Sequence, residues 1–109
     1  MQQEINIKNI ENVNIKVGDV LYYPYTLHRS VGYDSRFEIS DQNVIDLVDR
    51  NVEYKYPERM KDPNITGADN ALAKFIFKAK NPGKSAITIY NEFRFEVEST
   101  EVINITVEH

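Results

Sequence analysis

Side chains that could act together as nucleophile, acid and base are scarce in this chain. Its two histidines are His28 and His109, the second at the last position, and it has no cysteine. Acyl transfer through an activated side chain would therefore rest on His28 with Ser30 or Ser35. His28 and Ser30 lie two apart, which on a strand turns both to one face but supplies no third group to orient the imidazole. Catalysis is not expected. Asp41, Asp46 and Asp49, or Asp62 and Asp69, are the carboxylates a calcium ion would call on, yet no stretch has the EF-hand spacing, and acids in turns are ordinarily just solvated. Without thiols there is neither a disulfide framework nor a soft metal site, and no cofactor is expected. Asn64-Ile65-Thr66 and Asn104-Ile105-Thr106 match the N-glycosylation pattern, a frequent chance occurrence in an Asn-rich chain, and assign no compartment.

What remains is binding by a folded surface. A hydrophobic fraction of 41%, with seven Tyr and five Phe, suits a packed protein. A chain of 109 residues is enough for one core, so a single domain over 1–109 is expected. The net charge of −4 and a pI near 5.1 would repel a phosphate backbone or an anionic bilayer. Neither nucleic acid nor membrane is an expected partner. Tyr22, Tyr23 and Tyr25 are accordingly read as core aromatics rather than a platform for bases. No apolar run approaches the ~20 residues of a membrane-spanning helix. Met1-Gln2-Gln3-Glu4 has neither the basic nor the apolar region of a signal peptide, and localisation stays open.

The elements that would position a binding surface read as strands. Ala71, Ala73, Phe75, Phe77 and Ala79 alternate with Leu72, Lys74, Ile76, Lys78 and Lys80, the period of two of a strand. Asn81-Pro82-Gly83-Lys84 is a turn. Ala86, Thr88 and Tyr90 then oppose Ile87 and Ile89 in a second arm, expected to pair with the first. Earlier in the chain, Glu4 to Ile10 and Asn12 to Val17 alternate, and Gly18-Asp19 turns into Val20 to Leu27. Pro24 cannot donate a ladder hydrogen bond, so that strand must lie at an edge or bulge there. Tyr33 to Ser40 alternates again.

Asp41 to Tyr56 is open: Val44, Ile45, Leu47 and Val48 have helical spacing with Ser40 or Asp41 as N-cap, but Asp46, Asp49 and Asn51 are poor helix formers, which favours a strand. Pro57 to Asn70 reads as a long loop. Glu96 to Glu101 is polar, and Val102 to Val107 alternates to close a sheet. About seven to eight strands with frequent turn signals and no long amphipathic helix predict an all-β sandwich.

The order of these features resembles the chagasin-like inhibitors of papain-type cysteine proteases. The resemblance runs from about Ile15 to Val107: Val-Gly-Asp before a strand, Gly-Tyr after it, Gly-Ala near the end of a long loop, a Pro-Gly turn, and an Arg beside aromatics. It implies an immunoglobulin-like β-sandwich whose three loops at one end plug a protease cleft, a stoichiometric inhibitor acting as a monomer. The first family loop typically reads Asn-Pro-Thr-Thr-Gly and an aromatic; here Arg29-Ser30-Val31-Gly32-Tyr33 keeps Gly32 and Tyr33, with Ser30 in a Thr position. The second carries Gly-x-Gly-Gly; Gly67-Ala68-Asp69-Asn70 keeps the first glycine and replaces the others with Asp and Asn, which tolerate left-handed angles. The third has Arg-Pro and an aromatic; Phe93-Arg94-Phe95 keeps the cation and aromatics without the proline.

A papain-type cleft holds a thiolate beside an imidazolium between apolar subsites, so an inhibitor must cover the nucleophile without offering it a well-placed scissile carbonyl. Val31 would be a small apolar tip, Gly32 would allow close approach, Phe93 and Phe95 would anchor, and Arg94 would meet an acid. Two other readings compete with this one. Phe93-Arg94-Phe95-Glu96-Val97-Glu98 alternates as a longer strand or hairpin would, with Phe93, Phe95 and Val97 facing a core. The whole chain also suits an immunoglobulin-like spacer or adhesion module of a surface or secreted bacterial protein.

Overall fold

The computed structural model describes residues 4–28, 32–54 and 71–109. Its strands are β1 (Glu4–Asn6), β2 (Asn12–Lys16), β3 (Val20–Leu27), β4 (Tyr33–Ile39), β5 (Ile45–Tyr54), β6 (Ala71–Ala79), β7 (Gly83–Phe93) and β8 (Glu96–Glu108). They form two four-stranded sheets, ordered β1-β3-β6-β5 and β2-β8-β7-β4, with no helix among the described residues. This is the all-β, immunoglobulin-like sandwich that the patterning and the resemblance predicted.

The core lies where the inward faces of the two sheets meet. One sheet contributes Leu21, Tyr23, Tyr25, Leu27, Phe75 and Phe77, the other Ile87, Ile89, Ile103, Ile105 and Val107, all buried. Alternation decides which residues take part: Tyr23 and Tyr25 point inward, whereas Tyr22, one position before Tyr23, lies half-buried with the Lys74 ammonium 5.1 Å from its ring. Phe37 of β4 bridges the sheets, its ring 5.0 Å from Phe75 and 5.3 Å from Phe77 in edge-on contacts.

Pro24 is tolerated because β1 pairs with β3 only from Val20 to Tyr22. Beyond Tyr22 the strand is an edge, and the missing N–H breaks no ladder. The ambiguous segment is a strand preceded by one turn. Asp41 Oδ1 accepts the Asn43 N–H at 3.0 Å and the Asp41 carbonyl accepts the Val44 N–H at 3.2 Å, so the capping signal closes a single turn. A bulge between Leu47 and Asp49 then turns Val48 out to solvent. That extra residue mimics helical spacing in the sequence.

One expectation is corrected and one open reading is decided. β6 and β7 do not pair with each other, since the turn at Asn81–Pro82 carries the chain from one sheet to the other. Each arm has one continuous apolar face, and crossing over lets the Phe75/Phe77 face oppose the Ile87/Ile89 face instead of lying beside it. Glu96 to Glu101, read as polar and left open between strand and exposed loop in its first residues, is the first half of β8 and pairs with β7 back to Phe93. It is polar because its side chains are largely exposed, not because it is a loop.

Candidate binding pole

Three connections leave the sandwich at one end. In the first sheet Leu27 and Tyr54 both stand opposite Ala71; in the second, Tyr33 stands opposite Phe93, which pairs in turn with Glu96. An antiparallel bridge between His28 and Tyr33 ties the sheets together there. The β3–β4, β5–β6 and β7–β8 connections are therefore rooted at a common pole. Of the residues read as binding, Gly32, Tyr33, Phe93, Arg94 and Phe95 are brought together. Arg29, Ser30, Val31, Gly67, Ala68, Asp69 and Asn70 lie outside the described residues.

The β7–β8 connection is a two-residue hairpin turn at Arg94 and Phe95. Both adopt left-handed backbone, with φ of 53° and 69°, as in the mirror-image turns whose twist suits a hairpin. Neither is an Asn, Asp or Gly, the residues that accept this conformation readily. At the apex Phe95 is 99% exposed. Phe93, one step before the turn, packs on Tyr33 of the neighbouring strand with ring centroids 4.6 Å apart, and the Arg94 guanidinium sits 5.1 Å from the Phe93 ring. The competing readings of this run are thus both partly right: it is a hairpin, but Phe95 and Val97 are exposed rather than in the core.

Gly32 joins the two connections. Its carbonyl accepts the Arg94 N–H at 2.8 Å, while its own N–H and that of Tyr33 donate to the His28 carbonyl at 2.8 and 3.0 Å. With φ of +100°, a Cβ on Gly32 would stand 2.9 Å from the Arg94 nitrogen and 3.1 Å from its Cα. Only glycine permits this approach. The close approach expected of Gly32 toward a partner is thus used first within the chain, to fix the apex. The cross-strand register that stacks Tyr33 on Phe93 was not visible in the sequence, because nothing local sets it.

Charge around the pole is largely paired. Arg50 lies 3.7 Å from Asp34 and donates to the Tyr25 hydroxyl at 2.6 Å; Arg36 lies 3.6 Å from Glu92 and 4.1 Å from the Tyr90 ring centroid. Between the sheets behind the pole, the inward positions turn polar. Tyr23 Oη donates to Glu101 Oε2 at 2.7 Å, and the Asn9 N–H donates to Glu101 Oε1. The Asn91 amide donates to Ser99 Oγ at 3.2 Å, and Ser35 Oγ donates to Asn91 Oδ1 at 2.6 Å. Burial, reinforced by the Glu101 carboxylate, pushes the Tyr23 hydroxyl up to about 12. Ser35 is buried with its hydroxyl committed to Asn91, which leaves it unsuited as a nucleophile.

No protein-family model matches the sequence, and no curated protein matches it. Its fold is found in solved structures. A cysteine protease inhibitor from Entamoeba histolytica, EhICP2, superposes with a TM-score of 0.72 at 12% identity, covering 97% of this chain and 95% of that one. Amebosin superposes at 0.62 with 13% identity, covering 99% of each chain. PbICP-C, in complex with falcipain-2, superposes at 0.53 with 18% identity, covering 97% of this chain and 99% of that one. The class defined by the fold is the two-sheet β-sandwich that these three solved structures share. At such identities the likeness speaks for architecture, and the binding residues must be argued from this chain.

Proposed function

We propose that this chain is a reversible protein inhibitor of papain-type cysteine proteases, acting as a monomer and without catalysis of its own. The three connections at the pole would enter the cleft together, with Arg29 to Tyr33 over the nucleophile, Gly67 to Asn70 on one side and Phe93 to Phe95 on the other. The observation that carries the reading is Phe95: a large apolar side chain almost wholly in water, on backbone that Phe ordinarily avoids. Burying it in an apolar subsite would contribute about 1.5–3 kcal/mol. At its base, the Arg94–Gly32 hydrogen bond and the Phe93–Tyr33 stack hold the turn and reduce the ordering cost of docking. Inhibition of this kind needs no bond making. The thiolate is denied a carbonyl at attack distance while the subsites are filled.

The test is a titration of papain with the protein. Stoichiometric loss of activity is expected, weakened on the order of ten- to a hundredfold in Phe95→Ala and in Val31→Arg. An enzyme that stays fully active at micromolar protein would overturn the reading and leave the spacer or adhesion module in its place.

A further inference from the structure

Away from the hairpin apex, the uncovered edges of two strands border one groove, which Lys8–Glu11 of the β1–β2 connection also line. β2 covers β8 only from Asn104 to Glu108, and β1 covers β3 only from Val20 to Tyr22. The uncovered parts, Glu96–Ile103 of β8 and Tyr23–Leu27 of β3, border a groove of about 700 Å3. The direction of the free backbone groups follows from register. The Ala86 N–H and C=O both bond to Ser40, on the β4 side, while its partner Asn104 donates to the Glu11 carbonyl on the other side at 2.8 Å. Counting back by twos, Val102 and Thr100 present their N–H and C=O away from β7, toward the groove. At Asn91/Glu92 the register slips and leaves Glu98 as an extra residue on β8, which ends this run.

The groove also has a sign. Glu11, Asp34, Glu92, Glu98 and Glu101 line it against Lys8 alone, and the Arg36 and Arg50 that pair with Glu92 and Asp34 leave it net negative. A second copy of this chain laid edge to edge would set these carboxylates against their own kind. An extended segment with Lys or Arg at alternate positions would instead turn its cations to them while its backbone met Thr100 and Val102. We infer that the open edge of β8 is a strand-addition site for an extended, cationic peptide segment. It is distinct from the proposed protease contact at Phe95 and does not depend on it.

The probe is a dansyl-labelled, end-capped hexapeptide of alternating lysine and valine, followed by fluorescence anisotropy, with a glutamate-for-lysine peptide as control. Saturable binding of the lysine peptide alone is expected. Thr100→Pro removes one groove-facing N–H and leaves the β7 ladder intact, and should weaken binding on the order of tenfold. In the unaltered protein, the amide exchange of Thr100 and Val102 should slow when the peptide is added. Equal binding of both peptides, unchanged affinity in a folded Thr100→Pro, or no added protection at these two amides would each overturn the inference.

Discussion

At the residue scale, Arg94 and Phe95 set stability against recognition. Two side-chain-bearing residues in left-handed backbone cost about 1 kcal/mol each relative to residues that accept it, and the supports from Gly32 and Tyr33 hold them there. Replacing the pair by Asn-Gly, the preferred sequence for this turn, should raise the unfolding free energy by about 1–2 kcal/mol, read as a higher urea midpoint at unchanged slope. The same Arg94→Asn/Phe95→Gly variant should inhibit papain less well, because the exposed ring is gone. Opposite signs in the two measurements would mark a strained functional apex. A variant that gained nothing in stability would mean the turn is not strained as described.

At the element scale, β8 joins the apex to the core through its inward positions. Ile103, Ile105 and Val107 are buried, then Glu101 and Ser99 take the same parity and meet Tyr23 and Asn91. Tyr23 ties this polar stretch to the opposite sheet, and its raised pKa makes the tie alkali-sensitive. Above an ordinary value of about 10 the unfolded chain loses the Tyr23 proton, while the folded chain keeps it to about 12. Stability from this group is thus complete below pH 10 and declines as pH rises to about 12. Urea unfolding at both ends of that window should show a smaller loss in Tyr23→Phe than in the parent. An identical loss in both would show that the hydroxyl is not held by this contact.

The same strand shows what the sequence could and could not disclose. Strict alternation at Val102–Val107 and Ala71–Ala79 made those strands legible, since one face is buried throughout. Glu96–Glu101 was legible only as a polar stretch, its first residues open between strand and loop, because its partner β7 supplies the ladder while solvent takes most of its side chains. The β6–β7 crossover was missed because a Pro-Gly turn does not say whether the following strand returns beside the last one or opposite it. Gly32 and Phe95 could be named as site residues, but the Arg94 N–H bond that couples them depends on a pairing sixty-two positions away, from 32 to 94.

For the whole molecule, the sandwich must hold three connections in fixed relation, and the burden falls on contacts that cross between sheets. Phe37 is a natural centre: it belongs to the strand that begins at Tyr33, yet its ring meets Phe75 and Phe77 of the other sheet. Phe75 in turn stacks on Tyr25 at 4.6 Å. Truncating Phe75 to alanine removes a buried ring and leaves a cavity that rigid strands cannot close, at a cost of about 3–5 kcal/mol. Against a total stability on the order of 5–15 kcal/mol, that is a large share. Area alone would make the losses at Phe37 and Phe75 additive. Edge-on ring contact adds about 0.5–1.5 kcal/mol that belongs to the pair. A double-mutant cycle with Phe37→Leu and Phe75→Leu, followed by urea unfolding, should therefore return a coupling of that size, whereas Phe37→Leu combined with Val102→Ala on the exposed face of β8 should be additive within about 0.5 kcal/mol. If Phe37 and Phe75 were also additive, the sheets would be held by burial without a specific aromatic register, and the fixed geometry of the pole would have to come from the Gly32–Arg94 and His28–Tyr33 backbone bonds alone.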